Sequence, residues 1–136
     1  MNTLPPETKR NLEKLNDILA VYLFGSRAQG KSHAQSDYDY AVLTKSNGNQ
    51  KGGDLYFSLY DILSAISPRT FQNDVVDIVF LKDVGLELCF HVIQYGKVIL
   101  DRGTDERLNF EALIILRYCD YRPILVEMDR AILETL

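Results

Sequence analysis

The sequence predicts an α+β (α/β) domain in which helices flank a small mixed β-sheet. Short apolar runs rich in β-branched and aromatic residues alternate with segments whose apolar residues recur at helical spacing. With 46% apolar and 25% charged residues, the composition is that of an ordinary globular domain and excludes disordered and low-complexity classes. The 136 residues show no internal repeat or change of composition. We therefore expect one domain over residues 1–136, with a core over 1–100 and a helical tail over 101–136.

The first half of the chain predicts one helix and two strands. Residues 6–17 predict a short helix, because Pro5 and Pro6 suit its first turn and leucines fall on one side. Leu19–Phe24 is short, aromatic and β-branched, and Gly25 ends it, which indicates a buried strand. Tyr38–Leu43 predicts a second strand, and the glycine- and asparagine-rich residues 45–53 predict a loop.

The second half predicts two further strands with helices around them. Helical spacing begins at Asp54 and ends before Pro68. Val75–Leu81 and Lys97–Asp101 have the short apolar runs of a third and a fourth strand. Between these strands we expect a helix capped by Asp83.

The tail is predicted to be helical, and Pro123, which lacks a backbone N–H, is expected to kink or split that helix. Cys89 and Cys119 lie in apolar, helix-like runs, and we expect both to be reduced thiols of the core. His33 and His91 have no metal-ligand spacing and are expected to be ordinary surface or packed histidines.

Charge and hydropathy limit the classes of partner. The net charge is −4, whereas a module that binds duplex nucleic acid through its phosphates is usually basic. The acidic excess falls in residues 69–136, which favours a protein partner over a nucleic acid. No apolar run reaches membrane-spanning length, and the first residues lack a signal-peptide pattern. We therefore expect a cytoplasmic protein without membrane or direct nucleic-acid contact.

Two motifs carry the predicted chemistry. Asp37 and Asp39 are two residues apart at a strand start, so both carboxylates point to one face, and a cation between them would offset their repulsion. Mg²⁺ takes such oxygen ligands together with substrate phosphates. Gly25 and Ser26 follow the preceding strand, where backbone N–H groups and a hydroxyl can bind phosphate oxygens. Together the two motifs predict phosphoryl or nucleotidyl transfer. The alternative for Asp37 and Asp39 is a solvated strand start capped by Ser36.

A third carboxylate is expected from the third strand. Asp77 is a charged residue within an apolar run, where its desolvation favours a functional role, although an ion pair at the strand edge would also explain it. Asp74 is the rival candidate and lies on the opposite face of the strand. If this strand pairs beside Tyr38–Leu43, Asp77 faces the same side as Asp39.

The residues Gly25-Ser26, followed after ten residues by Asp37-x-Asp39, resemble the GS-x10-DxD signature of the DNA polymerase β-like nucleotidyltransferase superfamily. The stretches GSRAQG, SDYDYAVL and VDIVFL resemble those of the minimal nucleotidyltransferase (MNT) antitoxins. The resemblance implies a polymerase β-like nucleotidyltransferase fold with C-terminal helices. It also implies a catalytic and metal-binding set for two Mg²⁺ ions, Asp37, Asp39 and Asp77, and a nucleotide phosphate site at Gly25 and Ser26. We add Arg27 and Ser36 to the nucleotide-binding set; the alternative for the loop cations Arg27 and Lys31 is simple solvation.

The resemblance further implies the reaction and the partner. MNT antitoxins transfer AMP from ATP to a tyrosine hydroxyl of a cognate HEPN ribonuclease toxin, which silences the toxin.

Two other functions stay open at the level of the sequence. One is a nucleotidyltransferase that acts on a small molecule such as an aminoglycoside, although such enzymes usually carry a further domain for the acceptor. The other is a catalytically vestigial antitoxin that masks its toxin by binding. In the tail, tyrosines and arginines could form a partner surface or cover the domain's own core: Arg117, Tyr118, Tyr121 and Arg122.

Overall fold

A computed structural model describes residues 4–25, 38–48, 52–67 and 76–134. A short 3-10 turn, Leu81–Asp83, follows the third strand. The predicted α+β class with a mixed sheet and a helical C-terminus is confirmed. Within the described residues the elements are α1 (Pro6–Glu13), β1 (Ile18–Phe24), β2 (Tyr38–Thr44), α2 (Asp54–Ser64), β3 (Val76–Phe80), α3 (Leu86–Tyr95), β4 (Lys97–Asp101) and α4 (Thr104–Glu134).

The four strands form one sheet in the order β3-β2-β1-β4. Strand β1 pairs antiparallel with β2 and with β4, whereas β2 pairs parallel with β3. The chain passes from β2 to β3 through α2, and from β3 to β4 through α3. The first strand therefore lies inside the sheet, and the last strand forms one edge.

Both faces of the sheet are covered by helices, which explains the continuous apolar run of β1. Leu12 of α1 and Leu59 and Leu63 of α2 are fully buried against one face. Cys89 and Val92 of α3 are buried against the other face, together with residues of α4. The sheet therefore separates two apolar cores.

The first half of α4 is fixed to the sheet by a buried phenol. Tyr22 of β1 is only 1% exposed, and its hydroxyl donates a hydrogen bond to Glu111 Oε2 at 3.1 Å. Arg107 pairs with Glu111 and also with Asp101 of β4, whose Oδ2 lies 2.9 Å from the Arg107 Nε. Burial, and then the charge of Glu111, raises the pKa of Tyr22, so the phenol remains a neutral donor.

The second half of α4 extends past the packed part of the domain. Phe90 of α3 stacks on Tyr118 with ring centroids 3.9 Å apart, so Tyr118 covers the domain's own core. No described helix, α4 included, combines the length and apolar character that crossing a membrane needs. Beyond Tyr118 most of the large apolar side chains are exposed, among them Ile124, Val126, Met128, Ile132 and Leu133.

Two expectations about the tail are corrected by the structure. Of the kink or split expected at Pro123, the split is absent, because α4 is continuous from Thr104 to Glu134. A proline removes one interior hydrogen bond, and the turns on either side can still propagate the helix. Cys119 is an exposed free thiol and not a core residue, because α3 covers the neighbouring position, Tyr118, instead.

The predicted cap of α3 is also wrong. Asp83 Oδ1 accepts a hydrogen bond from the Gly48 backbone N–H at 2.9 Å. The helix begins after Gly85, without a side-chain cap. Asp83 instead ties the loop after β2 to the turn after β3.

Replacing Tyr22 with Phe should lower the free energy of unfolding by about 1 kcal/mol at neutral pH, because Glu111 loses a buried hydrogen-bond donor. Above about pH 10, the ordinary pKa of a tyrosine, the difference between the two proteins should shrink. There the phenol ionises in the unfolded chain, while its raised pKa keeps it neutral in the folded chain. Urea unfolding between pH 7 and pH 11 measures both effects, and equal stability at pH 7 would contradict the anchoring role.

Candidate active site

The described candidate residues lie at one end of the sheet, where β1 ends and β2 and β3 begin. Strand β1 ends at Phe24 and is followed by Gly25, while Asp39 and Asp77 are the second residues of β2 and β3. Phe24 pairs with Asp39, and Asp39 pairs in parallel register with Asp77. Residues paired directly on neighbouring strands point to the same face. Both carboxylates therefore lie on the face that carries α3 and α4.

Asp39 and Asp77 are close enough to share a cation. Neighbouring strands are about 4.8 Å apart, and both side chains are half-buried. Two carboxylates so placed repel each other unless a cation or hydrogen-bond donors compensate. The pair fits Mg²⁺, which binds one or two protein carboxylates together with phosphate and water oxygens. Within the described part of the chain no group of three or more Asp, Glu, His or Cys residues is placed to hold a metal.

Gly25 lies directly against the Asp39 carboxylate. Its φ of +78° is in the left-handed region that favours glycine. A Cβ added at this position would overlap Asp39 Oδ2. At Gly25 the chain therefore places backbone, and not a side chain, beside Asp39, which suits phosphate binding by backbone N–H groups.

The structure thus brings together three of the predicted site residues: Gly25, Asp39 and Asp77. The β3 register also separates Asp77 from the opposite face of its strand, where Val76 and Ile78 enter the core beneath α2. The remaining predicted residues, and the rival third carboxylate, lie outside the described residues: Ser26, Arg27, Ser36, Asp37 and Asp74.

His91, to which the sequence gives no functional signal, lies beside this end of the sheet. The His91 ring meets the Phe24 ring edge-on, with centroids 6.4 Å apart, and it also contacts the Tyr95 ring at 5.1 Å. Spacing along the chain gives no signal for this placement. It follows from the sheet order, because α3 ends directly before β4, and Lys97 of β4 pairs with the end of β1 at Leu23.

The carboxylate pair beside Gly25 is a candidate nucleotidyltransferase site, and the family comparison shows the class of protein. The polymerase beta, nucleotidyltransferase family matches residues 7–105, which contain the whole sheet and the candidate site. The chain therefore belongs to this family, and the polymerase β-like fold is confirmed.

The most similar relatives include two curated proteins and a solved complex. The chain is 28% identical over 121 residues to protein adenylyltransferase MntA of Aphanizomenon flos-aquae, covering 85% of this chain and 78% of that protein. It is 30% identical over 98 residues to protein adenylyltransferase MntA of Shewanella oneidensis, covering 72% and 63%. A crystal structure of a toxin–antitoxin with AMP-PNP contains a chain 26% identical to this one, with a TM-score of 0.61 and coverage of 88% and 97%.

Alanine at position 25 should destabilise the fold more than alanine at a second left-handed glycine. Gly48 has a φ of +80° with nothing within 4 Å of an added Cβ, so Gly48→Ala should cost only the backbone strain, about 1 kcal/mol. Gly25→Ala adds a collision with Asp39 and should cost clearly more. Chemical unfolding of both variants measures the difference, and equal losses would show that Asp39 moves aside freely.

Proposed function

We propose that this protein is an antitoxin that transfers AMP from ATP to a tyrosine hydroxyl of a cognate HEPN ribonuclease toxin and so neutralises the toxin. The observation that carries the proposal is the in-register pairing of Asp39 with Asp77 beside Gly25. Family membership supports nucleotidyl transfer. The names of the MntA relatives support AMP as the transferred group and a protein as the acceptor. The toxin–antitoxin structure with AMP-PNP supports a toxin partner and ATP as the donor.

In this proposal the carboxylates of Asp37, Asp39 and Asp77 hold two Mg²⁺ ions. When bound, Mg²⁺ offsets the charge that develops on the attacking and leaving oxygens. Asp39 and Asp77 fit this role because they are the second residues of two adjacent strands whose backbone pairing sets their separation. Asp37, two residues before Asp39, would share its face.

The nucleotide would be bound at the turn that follows β1. Gly25 opens this turn, and the backbone N–H groups after it, together with the Ser26 hydroxyl, would bind phosphate oxygens. Arg27 and Ser36 flank the two motifs in the sequence and would add a charged and a hydroxyl contact to the triphosphate.

Asp77 would act on the acceptor. Its carboxylate takes the proton of the tyrosine hydroxyl as the oxygen attacks the α-phosphorus. The bond from the α-phosphorus to the bridging oxygen breaks in line, and its electron pair leaves with pyrophosphate. The pairing of β3 with β2 along its whole length supports this role, because it would hold Asp77 in place before the substrates bind.

The partner would dock along α4. The second half of this helix exposes large apolar side chains, and residues 101–136 carry more acidic than basic side chains. Exposed apolar surface on a helix is typical of an interface with another protein. A partner bound there would bring its own tyrosine to the candidate site, so the acceptor would be part of a macromolecule.

Asp77→Asn should lower the rate of AMP transfer by several orders of magnitude with little change in ATP affinity, because its main effect is in the transition state. Asp39→Asn should abolish Mg²⁺-dependent transfer and leave the fold intact, since it relieves charge repulsion. Asp74→Asn is the matched control and should be nearly silent. Single-turnover modification of the toxin with labelled ATP measures all three. A dead Asp74→Asn protein beside an active Asp77→Asn protein would overturn the assignment.

Removal of residues 123–136 should weaken complex formation with the toxin more than it weakens ATP binding. The described residues of this segment lie past the contact of Tyr118 with α3, and those whose burial is described are exposed. A full-length Met128→Glu, Ile132→Glu double variant, which changes two exposed side chains, separates lost interface from lost helix. Calorimetric titration with the toxin and with ATP gives both affinities. Equal loss of the two would show that this part of α4 serves the core.

A further inference from the structure

Residues of α3 pack near the end of the sheet that holds the two carboxylates. Across this end of the sheet, the strand order β3-β2-β1-β4 places Asp77 first, Asp39 second and Gly25 third. His91 comes next, because its ring packs edge-on against Phe24, the residue before Gly25. The half-buried imidazole therefore packs on the residue of β1 that pairs directly with Asp39.

His91 is also on the correct face of the sheet. Phe24 belongs to the core beneath α3 and α4, and its partner Asp39 points to that same face. α3 runs toward this edge and ends at Tyr95, which contacts the His91 ring and is exposed. His91 therefore lies on the same face of the sheet as Asp39 and Asp77, over the strand that pairs with Asp39.

We infer that His91 binds the leaving pyrophosphate during nucleotidyl transfer. The inference rests on the proposed function, in which Asp77 activates the acceptor and the turn at Gly25 binds the phosphates. An in-line displacement places the attacking and the leaving oxygen on opposite sides of the α-phosphorus. With attack from the Asp77 side, the β- and γ-phosphates extend past Gly25 toward α3, where His91 lies.

The contribution of His91 is a hydrogen bond to charge that develops during the reaction. As the tyrosine oxygen bonds to the α-phosphorus, the bond to the bridging oxygen breaks and both electrons remain on pyrophosphate. A ring N–H of His91 donates to a pyrophosphate oxygen, and no proton needs to be transferred from it. Such a charge-assisted bond strengthens as the negative charge grows, so it favours the transition state over bound ATP.

The test compares pyrophosphate with AMP, which lacks the β- and γ-phosphates. Calorimetric titrations in the presence of Mg²⁺ use the wild-type chain, His91→Leu, His91→Gln and Phe90→Leu. His91→Leu should weaken pyrophosphate binding about tenfold or more and change AMP binding less than about twofold. His91→Gln keeps an N–H donor and should recover most of the pyrophosphate affinity.

Phe90→Leu is the control for packing. It removes the stack on Tyr118 from the neighbouring position of the same helix and should lower stability without changing the ratio of the two affinities. Single-turnover transfer should fall in His91→Leu and recover in His91→Gln. If His91→Leu leaves the ratio of pyrophosphate affinity to AMP affinity unchanged, whether both fall or neither does, the inference is overturned. A wild-type chain that transfers no AMP would instead overturn the proposed function, and the binding ratio distinguishes the two failures.

Discussion

The parallel pairing of β2 with β3 is the constraint on which the site depends. It places Asp39 opposite Asp77 in register and on one face, a position that backbone hydrogen bonds fix independently of either side chain. Two carboxylates about one strand spacing apart cost free energy. The fold places them near the ends of their strands, where both are half-buried and not fully enclosed. The rest of the domain supports this arrangement by burying the same two strands on both faces.

The chemistry of the site was more predictable from the sequence than its geometry. The alternation of β3 separates Asp77 from its apolar neighbours, and the close spacing of the glycine and aspartate motifs by itself indicates a phosphate and metal site. The strands were also predictable to within one residue, because their apolar runs are short and bounded. Sheet order is not encoded in local pattern, so the meeting of His91 with Phe24 could not be predicted.

The local errors have a common cause, which is competition between nearby and distant partners. Asp83 is a residue type that often caps helices, yet its carboxylate accepts a hydrogen bond from the Gly48 backbone N–H in another loop. Cys119 has an apolar neighbourhood in the sequence, yet only the adjacent Tyr118 faces α3. Pro123 has the strongest local signal of all, yet the helix continues through it. Propensity describes what a residue prefers alone, and tertiary contacts decide among those preferences.

The position of β1 within the sheet has a consequence for synthesis of the chain. This strand leaves the ribosome well before its partner β4, which follows it by more than 70 residues along the chain. Until β4 is complete, one side of β1 presents unpaired N–H and C=O groups beside an apolar surface, the kind of edge that pairs readily with foreign strands. Closure of the sheet by β4, and of Arg107 onto Asp101, therefore ends the interval in which the nascent protein is most exposed to misassembly.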